Sequence, residues 1–363
     1  MRVLVVNTGS SSVKLRLVDP DGALADRADP PLDNGTVSAE RLATEVERFS
    51  GVDAVGHRVV HGGSAFRRPT ALDDEVVARL RDLTGLAPLH QPKAVSGIAA
   101  MRSVLPGVPQ VACFDSMFHA DLPPEAATYA IPREWREKYA PRRYGFHGIS
   151  HAYAARRAGD MLGDDPGRLV IAHLGAGASL AAVRGGRSVD TTMGFTPLEG
   201  LVMGTRSGDV DPGLVLWLLR EAGLDPDEVG DGLEWRSGLA GLTGSADMRD
   251  VVSRAGGDDP DAALGLAVYL HRLRAKIAAM AAALDGVDTL VFTGGVGEHQ
   301  PAVRAGAADG LGFLGIGIDP EANDAASPDT EITASGARVR SLVVEAREEL
   351  EIARDVRALL RPH

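Results

Sequence analysis

The sequence predicts an α/β protein made of two related halves. Three observations predict it. Strand-like and helix-like segments alternate along most of the chain. A hairpin pattern opens the sequence: strand Arg2-Val3-Leu4-Val5-Val6, polar turn Asn7-Thr8-Gly9-Ser10-Ser11-Ser12, then the alternating return Val13-Lys14-Leu15-Arg16-Leu17. The same order recurs in residues 168–183, where Arg168 falls on Arg2 and Gly175 on Gly9. The first turn carries backbone N–H groups, the hydroxyls of Ser10, Ser11 and Ser12, and Lys14, which suits a cradle for phosphate oxygens. Two halves with one such turn each would place a nucleotide in the cleft between them. Two ordinary hairpins are the plain alternative, because glycine turns are common.

The other elements follow in order. Residues 54–60 and 110–114 read as short buried strands, and 75–83 and 94–104 as helices. The stretch 123–141, rich in proline and charge, reads as a crossover. A second α/β region runs from 168 to about 344. Residues 211–223 open with Asp-Pro-Gly and continue apolar, so Pro212 sits near the first helical position. Residues 262–284 form a long helix with small alanine faces. Residues 288–292 form a buried strand entering Thr293-Gly294-Gly295-Val296-Gly297-Glu298, and 348–360 a terminal helix. Residues 256–261 read only as a local acidic loop.

Composition bounds the function. The chain has 363 residues, enough for two domains. A net charge of −12 disfavours nucleic acid and anionic membranes as partners, so any anionic ligand needs local cations. The single cysteine, Cys113, excludes an internal disulfide and fits a reducing cytosol. The first residues enter a strand without the basic and apolar regions of a secretory leader. No apolar run is long enough for a membrane span.

Neither a P-loop nor a dinucleotide glycine fingerprint is present, so nucleotide binding requires another fold. The glycine turn 294–298 would let a flat adenine or ribose approach the backbone; a tight strand-to-helix turn explains it equally. Arg58 and Arg206 are each flanked by apolar residues and glycines. Such a guanidinium suits a cleft, where its fork meets carboxylate or phosphate; a structural ion pair is the alternative. His147 and His151 stand four apart, but Gly145 and Gly148 make His147 a loop residue, better suited to donate a hydrogen bond than to bind metal. His57 and His61 share that spacing, with a strand between them. Asp115 ends a strand and faces a cleft or caps a helix. Glu348 and Glu349 open a helix, where acidic charge is favourable in any case.

At these residues the chain resembles the acetokinase family, the acetate kinases, within the actin/Hsp70/sugar-kinase superfamily. The resemblance rests on residues 7–14, 56–63, 86–92, 114–123, 144–151, 173–179, 196–212, 247–249, 292–298 and 348–355. It implies two actin-like (ribonuclease H-like) domains, 1–119 plus 350–363 and 120–349, with the active site in the cleft between them. It implies reversible, direct in-line transfer of the ATP γ-phosphoryl group to acetate, giving acetyl phosphate and ADP. Mg²⁺ would assist, with Mn²⁺ as a substitute. By the family's roles, Asn7 and Glu348 would serve the metal. Lys14, Ser10 and Ser12 would serve the nucleotide phosphates. His173, Leu174, Gly175, Ala176 and Gly177 would form the second phosphate turn. Asp247, Met248 and Arg249 would line the adenosine site with Gly295, Val296, Gly297, Glu298 and His299. Arg58 would hold the substrate carboxylate, and His147 and Arg206 the transferring phosphoryl group. Asp115 is the family's catalytic carboxylate. Val60, Leu89, Phe146 and Pro197 match the small acyl pocket, and His90 another active-site histidine.

Physical chemistry supports that division. Acetate is already ionised, so its oxygen needs no general base; the difficulty is bringing two anions together. Asp115 therefore reads as orienting a metal ion or an arginine. The chain departs from the family pattern at Ala176, where an asparagine is usual, at Gln91 for asparagine, at His299 for asparagine, and in a shortened stretch before Val52. Propionate or another short acid, a phosphoryl donor other than ATP, and a weakly active nucleotide-binding regulator are the competing readings. Family analogy implies a homodimer in the cytoplasm.

Overall fold

The hairpin read from the first residues forms as expected. Strands β1 (Val3–Thr8) and β2 (Val13–Val18) pair antiparallel, with Asn7 opposite Lys14. The computed structural model describes residues 1–9, 12–32, 38–88, 90–163 and 165–361. By contacts the chain divides into two units. The first is Met1–Ala120 with Phe146–Tyr153 and Arg347–His363, and the second is Asp121–Gly145 with Ala154–Ala346.

In the first unit, β3 (Leu24–Ala28), β4 (Ala54–Val59), β5 (Thr70–Ala71) and β6 (Gln110–Phe114) complete a six-stranded sheet, ordered β3-β2-β1-β4-β6-β5. β1, β4 and β6 run parallel; the others are antiparallel to their neighbours. Both faces of β1 are covered, which is why it reads as a continuous apolar run. Leu4 and Val6 pack with Leu42, Val46 and Met101 from two helices. Val3 and Val5 pack on the other face with Ile352, Ala353 and Val356 of the terminal helix.

The second unit repeats the plan. β7 (Arg168–Leu174), β8 (Ala178–Arg184), β9 (Arg187–Thr191), β10 (Thr289–Thr293), β11 (Thr330–Glu331) and β12 (Arg340–Val343) are ordered β11-β12-β10-β7-β8-β9. Read from the other edge, the order and directions match the first sheet strand for strand. The repeat seen in two hairpins therefore extends through both sheets.

Element ends moved where caps decide them. The helix expected over 94–104 is Gln91–Val104, because Pro92 is tolerated in its first turn. That over 75–83 is Asp74–Asp82, capped by Asp73. The long helix is Pro260–Ala283; Asp259, in the supposed acidic loop, accepts hydrogen bonds from the backbone N–H groups of Asp261 and Ala262. The apolar helix is Pro212–Arg220, capped by Asp211. The terminal helix is Glu348–Leu360, as read. The crossover 123–141 holds two short helices, Pro124–Ala127 and Arg133–Tyr139. The glycine turn after β10 is itself the first turn of a helix, Gly294–His299.

Candidate active site

In the first unit, parallel pairing puts the ends of β4 and β6 side by side, with Arg58 beside Cys113 and Val59 beside Phe114. Asp115, one residue past β6, then faces Arg58. Its carboxylate takes a two-pronged grip: Arg58 Nε donates to Oδ1 at 2.9 Å and an Nη to Oδ2 at 2.7 Å. The other Nη lies 3.2 Å from Glu348 Oε2. Glu348 is there because the terminal helix packs on the sheet and begins at this end. Asn7 Nδ2 is 3.5 Å from the same Glu348 oxygen. Burial opposes the Arg58 charge, but Asp115 and Glu348 more than offset it and hold its pKa above the usual value. The structural ion pair weighed for Arg58 is thus present.

His147 is fixed by backbone geometry. Gly148 N–H donates to the Asp115 carbonyl at 2.7 Å, and a Cβ at Gly148 would lie 2.2 Å from that oxygen, so only glycine fits. His147 itself has φ of 55°, at the entrance to the helix Gly148–Leu162. His151 turns inward, its ring 5.6 Å from that of His119. Phe146 is buried, held by the edge of His61 at 5.3 Å and by His119 Nε2, 3.2 Å from its carbonyl. Burial lowers the His119 pKa to about 4, against that hydrogen bond. Burial likewise lowers His57, on β4, to about 4 despite its 2.8 Å contact with Gln110 Oε1. Val60 and His90 are half-buried, and His90 stands at the start of the helix Gln91–Val104. Lys14 is exposed on β2, and Ser12 bridges to Pro31. Ser10 and Leu89 lie outside the described residues. Among the described residues no three His, Cys, Asp or Glu side chains cluster as a metal site.

In the second unit, a cavity of about 450 Å³ opens beside the turn after β7. Of the expected residues, Gly175, Ala176, Asp247, Met248, Arg249, Gly295, Val296 and His299 line it. Asp247 caps the helix Met248–Ala255 and grips the Arg249 side chain at 2.6 Å; those bonds lower its pKa to about 2. Gly177 closes the turn, its carbonyl 3.0 Å from Gly175 N. His173 and Leu174 finish β7, and Gly297 is buried in its helix. Glu298 turns to the Ala346 N–H at 3.0 Å, and burial raises its pKa. Arg206 is largely buried. It donates to the Pro197 carbonyl at 3.3 Å and lies 3.8 Å from Glu234.

Sequence reasoning missed Gly204, Leu239, Ala246, Tyr269 and Gln300 in this cavity. Tyr269 lies inside an apolar helix and reads as core. Gly204, Leu239 and Ala246 are small or apolar and carry no chemical signal, and Gln300 is a single polar residue outside any motif.

Two sheets of one strand order, each carrying a hairpin beside its central parallel strands, define an α/β protein of the actin-like fold. The comparisons narrow this. A model described as the acetokinase family matches residues 33–354. An acetate kinase of Thermosipho africanus is 44% identical over 398 residues, spanning 99% of this chain and 98% of that protein. The crystal structure of Porphyromonas gingivalis acetate kinase superposes with a TM-score of 0.91 at 35% identity, covering 99% of this chain and 100% of the other. A propionate kinase from Francisella tularensis gives 0.90 at 34% identity, covering 98% of each. The chain belongs to the acetokinase family.

Proposed function

We propose that this chain is an acetate kinase, transferring the ATP γ-phosphoryl group reversibly and in line to acetate. Family membership and one observation carry the reading: the Arg58 guanidinium gripped by Asp115, with a Glu348 oxygen beside it that also faces the Asn7 amide. A fixed cation next to hard oxygen donors answers the central problem of bringing a carboxylate to a phosphate.

Arg58 binds the acetate carboxylate. Asp115 aims Arg58 and abstracts no proton, because acetate is already ionised. Arg206 and His147 stabilise charge on the equatorial phosphoryl oxygens as the bond to ADP breaks and that to acetate forms. By the family resemblance, Val60, Leu89, Phe146 and Pro197 are assigned to the methyl group, and His90 to the acceptor. The cavity of the second unit takes adenosine, and the turns at Gly9 and Gly175 take the phosphates, with Lys14, Ser10 and Ser12. The donor set fits Mg²⁺, which takes one or two protein oxygens and completes its shell with phosphate and water. Asn7 and Glu348 would hold it, and it would neutralise charge on the nucleotide phosphates.

A homodimer is favoured by the helix Pro212–Arg220, which buries no residue and exposes Leu214, Leu216 and Trp217. Light scattering at the mass of two chains would support this, and a monomer would exclude it. No described helix is long and apolar enough to cross a membrane. A cytoplasmic location fits the single cysteine.

The test is trapping of acetyl phosphate as its hydroxamate, from purified protein, ATP, Mg²⁺ and acetate. Propionate and pyrophosphate arms rank acceptor and donor. Product that depends on acetate and forms about 10²- to 10³-fold more slowly in Arg206→Ala supports the reading. ATP bound without acyl phosphate from either acid rejects it.

A further inference from the structure

Arg206 does not hold its own position. Its guanidinium meets the Pro197 carbonyl at 3.3 Å, with the Met203 sulfur and Glu234 each 3.8 Å away, and Pro197 and Met203 both lie in a loop running from Thr192 to Arg206 with little regular structure. One carboxylate ties that loop down. Glu199 Oε2 accepts the Tyr129 hydroxyl at 2.7 Å, and Oε1 accepts an Arg143 Nη at 2.5 Å. Each partner reaches onward. The Tyr129 oxygen accepts the Phe195 N–H at 2.8 Å. The other Arg143 Nη donates to the Thr192 and Met193 carbonyls at 3.2 and 3.1 Å. The guanidinium also lies 5.6 Å from the centre of the Tyr129 ring. Glu199 thus closes a bracket over 192–199 with Pro197 inside it.

The bracket has a second end. The Gly194 carbonyl accepts the N–H groups of Tyr144 and Gly145, three and two residues before His147. A Cβ at Gly194 would lie 1.8 Å from Glu199 Oε2 and 2.3 Å from the Tyr129 oxygen, so the chain here is shaped around the carboxylate.

We propose that Glu199 is a positioning residue for phosphoryl transfer, fixing the Pro197 carbonyl and thereby the aim of Arg206. The inference rests on the role proposed above for Arg206. Glutamine cannot replace the carboxylate. Its amide offers one acceptor oxygen where two are used, so either the Tyr129 proton or the Arg143 Nη loses its partner. A loosened carbonyl lets Arg206 swing, and misplacing a group that stabilises the transition state by about 1 Å costs on the order of 10²-fold in rate.

The test compares Glu199→Gln with the parent, in the natural chain and in Arg206→Ala, by steady-state kinetics and by hydrogen exchange. In the natural background kcat should fall roughly 10- to 100-fold, with KM for ATP within about twofold. In Arg206→Ala the same change should cost less than about threefold, because the group being aimed is gone. Exchange at the Phe195 and Met203 amides should quicken at least about tenfold. An equal kinetic loss in both backgrounds, or unchanged exchange at both amides, overturns the proposal. If Glu199→Gln does not fold, Tyr129→Phe removes only the hydroxyl and should show the same pattern at several-fold size. If the natural chain makes no acyl phosphate, the kinase reading fails by itself, and the exchange measurement still decides whether Glu199 orders the loop.

Discussion

The two sheets share one strand order and differ in what stands at their strand ends. In the first unit, β4 and β6 lead to Arg58 and Asp115, with Glu348 close by. In the second, the matching strands β10 and β12 lead to Thr293-Gly294 and Val344, and the charges Asp247 and Arg249 stand exposed at the cavity wall. Sheltered charges must satisfy one another, so the first unit gathers an arginine between two carboxylates. Uncharged strand ends leave the second unit room for a cavity. The two sheets share one plan and carry different chemistry: paired ions at the strand ends of the first, open space beside those of the second.

The largest expected effect tests that division. Arg58→Ala should lower the rate of phosphoryl transfer about 10²- to 10⁴-fold, as for comparable electrostatic groups, while ADP affinity, measured by calorimetry, stays within about threefold. A parallel loss of nucleotide binding would erase the contrast between the units.

Acid should weaken the first unit through two buried imidazoles. His57 and His119 are neutral when folded, each with a pKa lowered by burial to about 4. Unfolded, they take up protons near pH 6.5. The unfolded state therefore binds more protons between 6.5 and 4, and stability falls as pH drops through that window. At pH 5 the loss is about 2 kcal/mol for each histidine. Urea midpoints at pH 7 and pH 5 measure it, and NMR titration of the two rings near pH 6.5 would contradict it.

Gly295→Leu sharpens the comparison from the other side. A Cβ at Gly295 would meet no neighbour within 4 Å, and Gly295 lines the cavity. KM for ATP should rise about 10- to 100-fold, with kcat at saturation nearly intact. A fall in kcat at unchanged KM would remove the nucleoside from this cavity.

The smallest effect belongs to Ala176→Asn. It adds an amide beside the turn, where one hydrogen bond to a charged phosphate is worth about 1.5–3 kcal/mol before the cost of ordering the new side chain, so ATP affinity should improve by about tenfold. Weaker binding would mean that the cavity, lined by Ala176, has no room for the amide.

The legible parts of the molecule were those written locally. The hairpin turns, the strand ends at Arg58 and Asp115, and the terminal helix each follow from a few adjacent residues. The longer reach of the repeat, through all six strands of each sheet, had no such mark, because β5 and β11 are two residues long. The helix start at Gln91 was misjudged because a proline can open a helix as well as end one. The bracket at Glu199 was invisible for a different reason: its partners lie 70 and 56 residues away, and only the folded chain brings them together. Tyr269, likewise, declares itself only through the cavity it lines.

The most direct test pairs two readouts on two variants: ATP affinity and acetyl phosphate formation, for Arg58→Ala and Gly295→Leu. Arg58→Ala should bind ATP as the natural chain does and make almost no acetyl phosphate, while Gly295→Leu should bind ATP weakly and regain product at saturating ATP. If both variants lose both properties together, the division of labour between the two units is wrong.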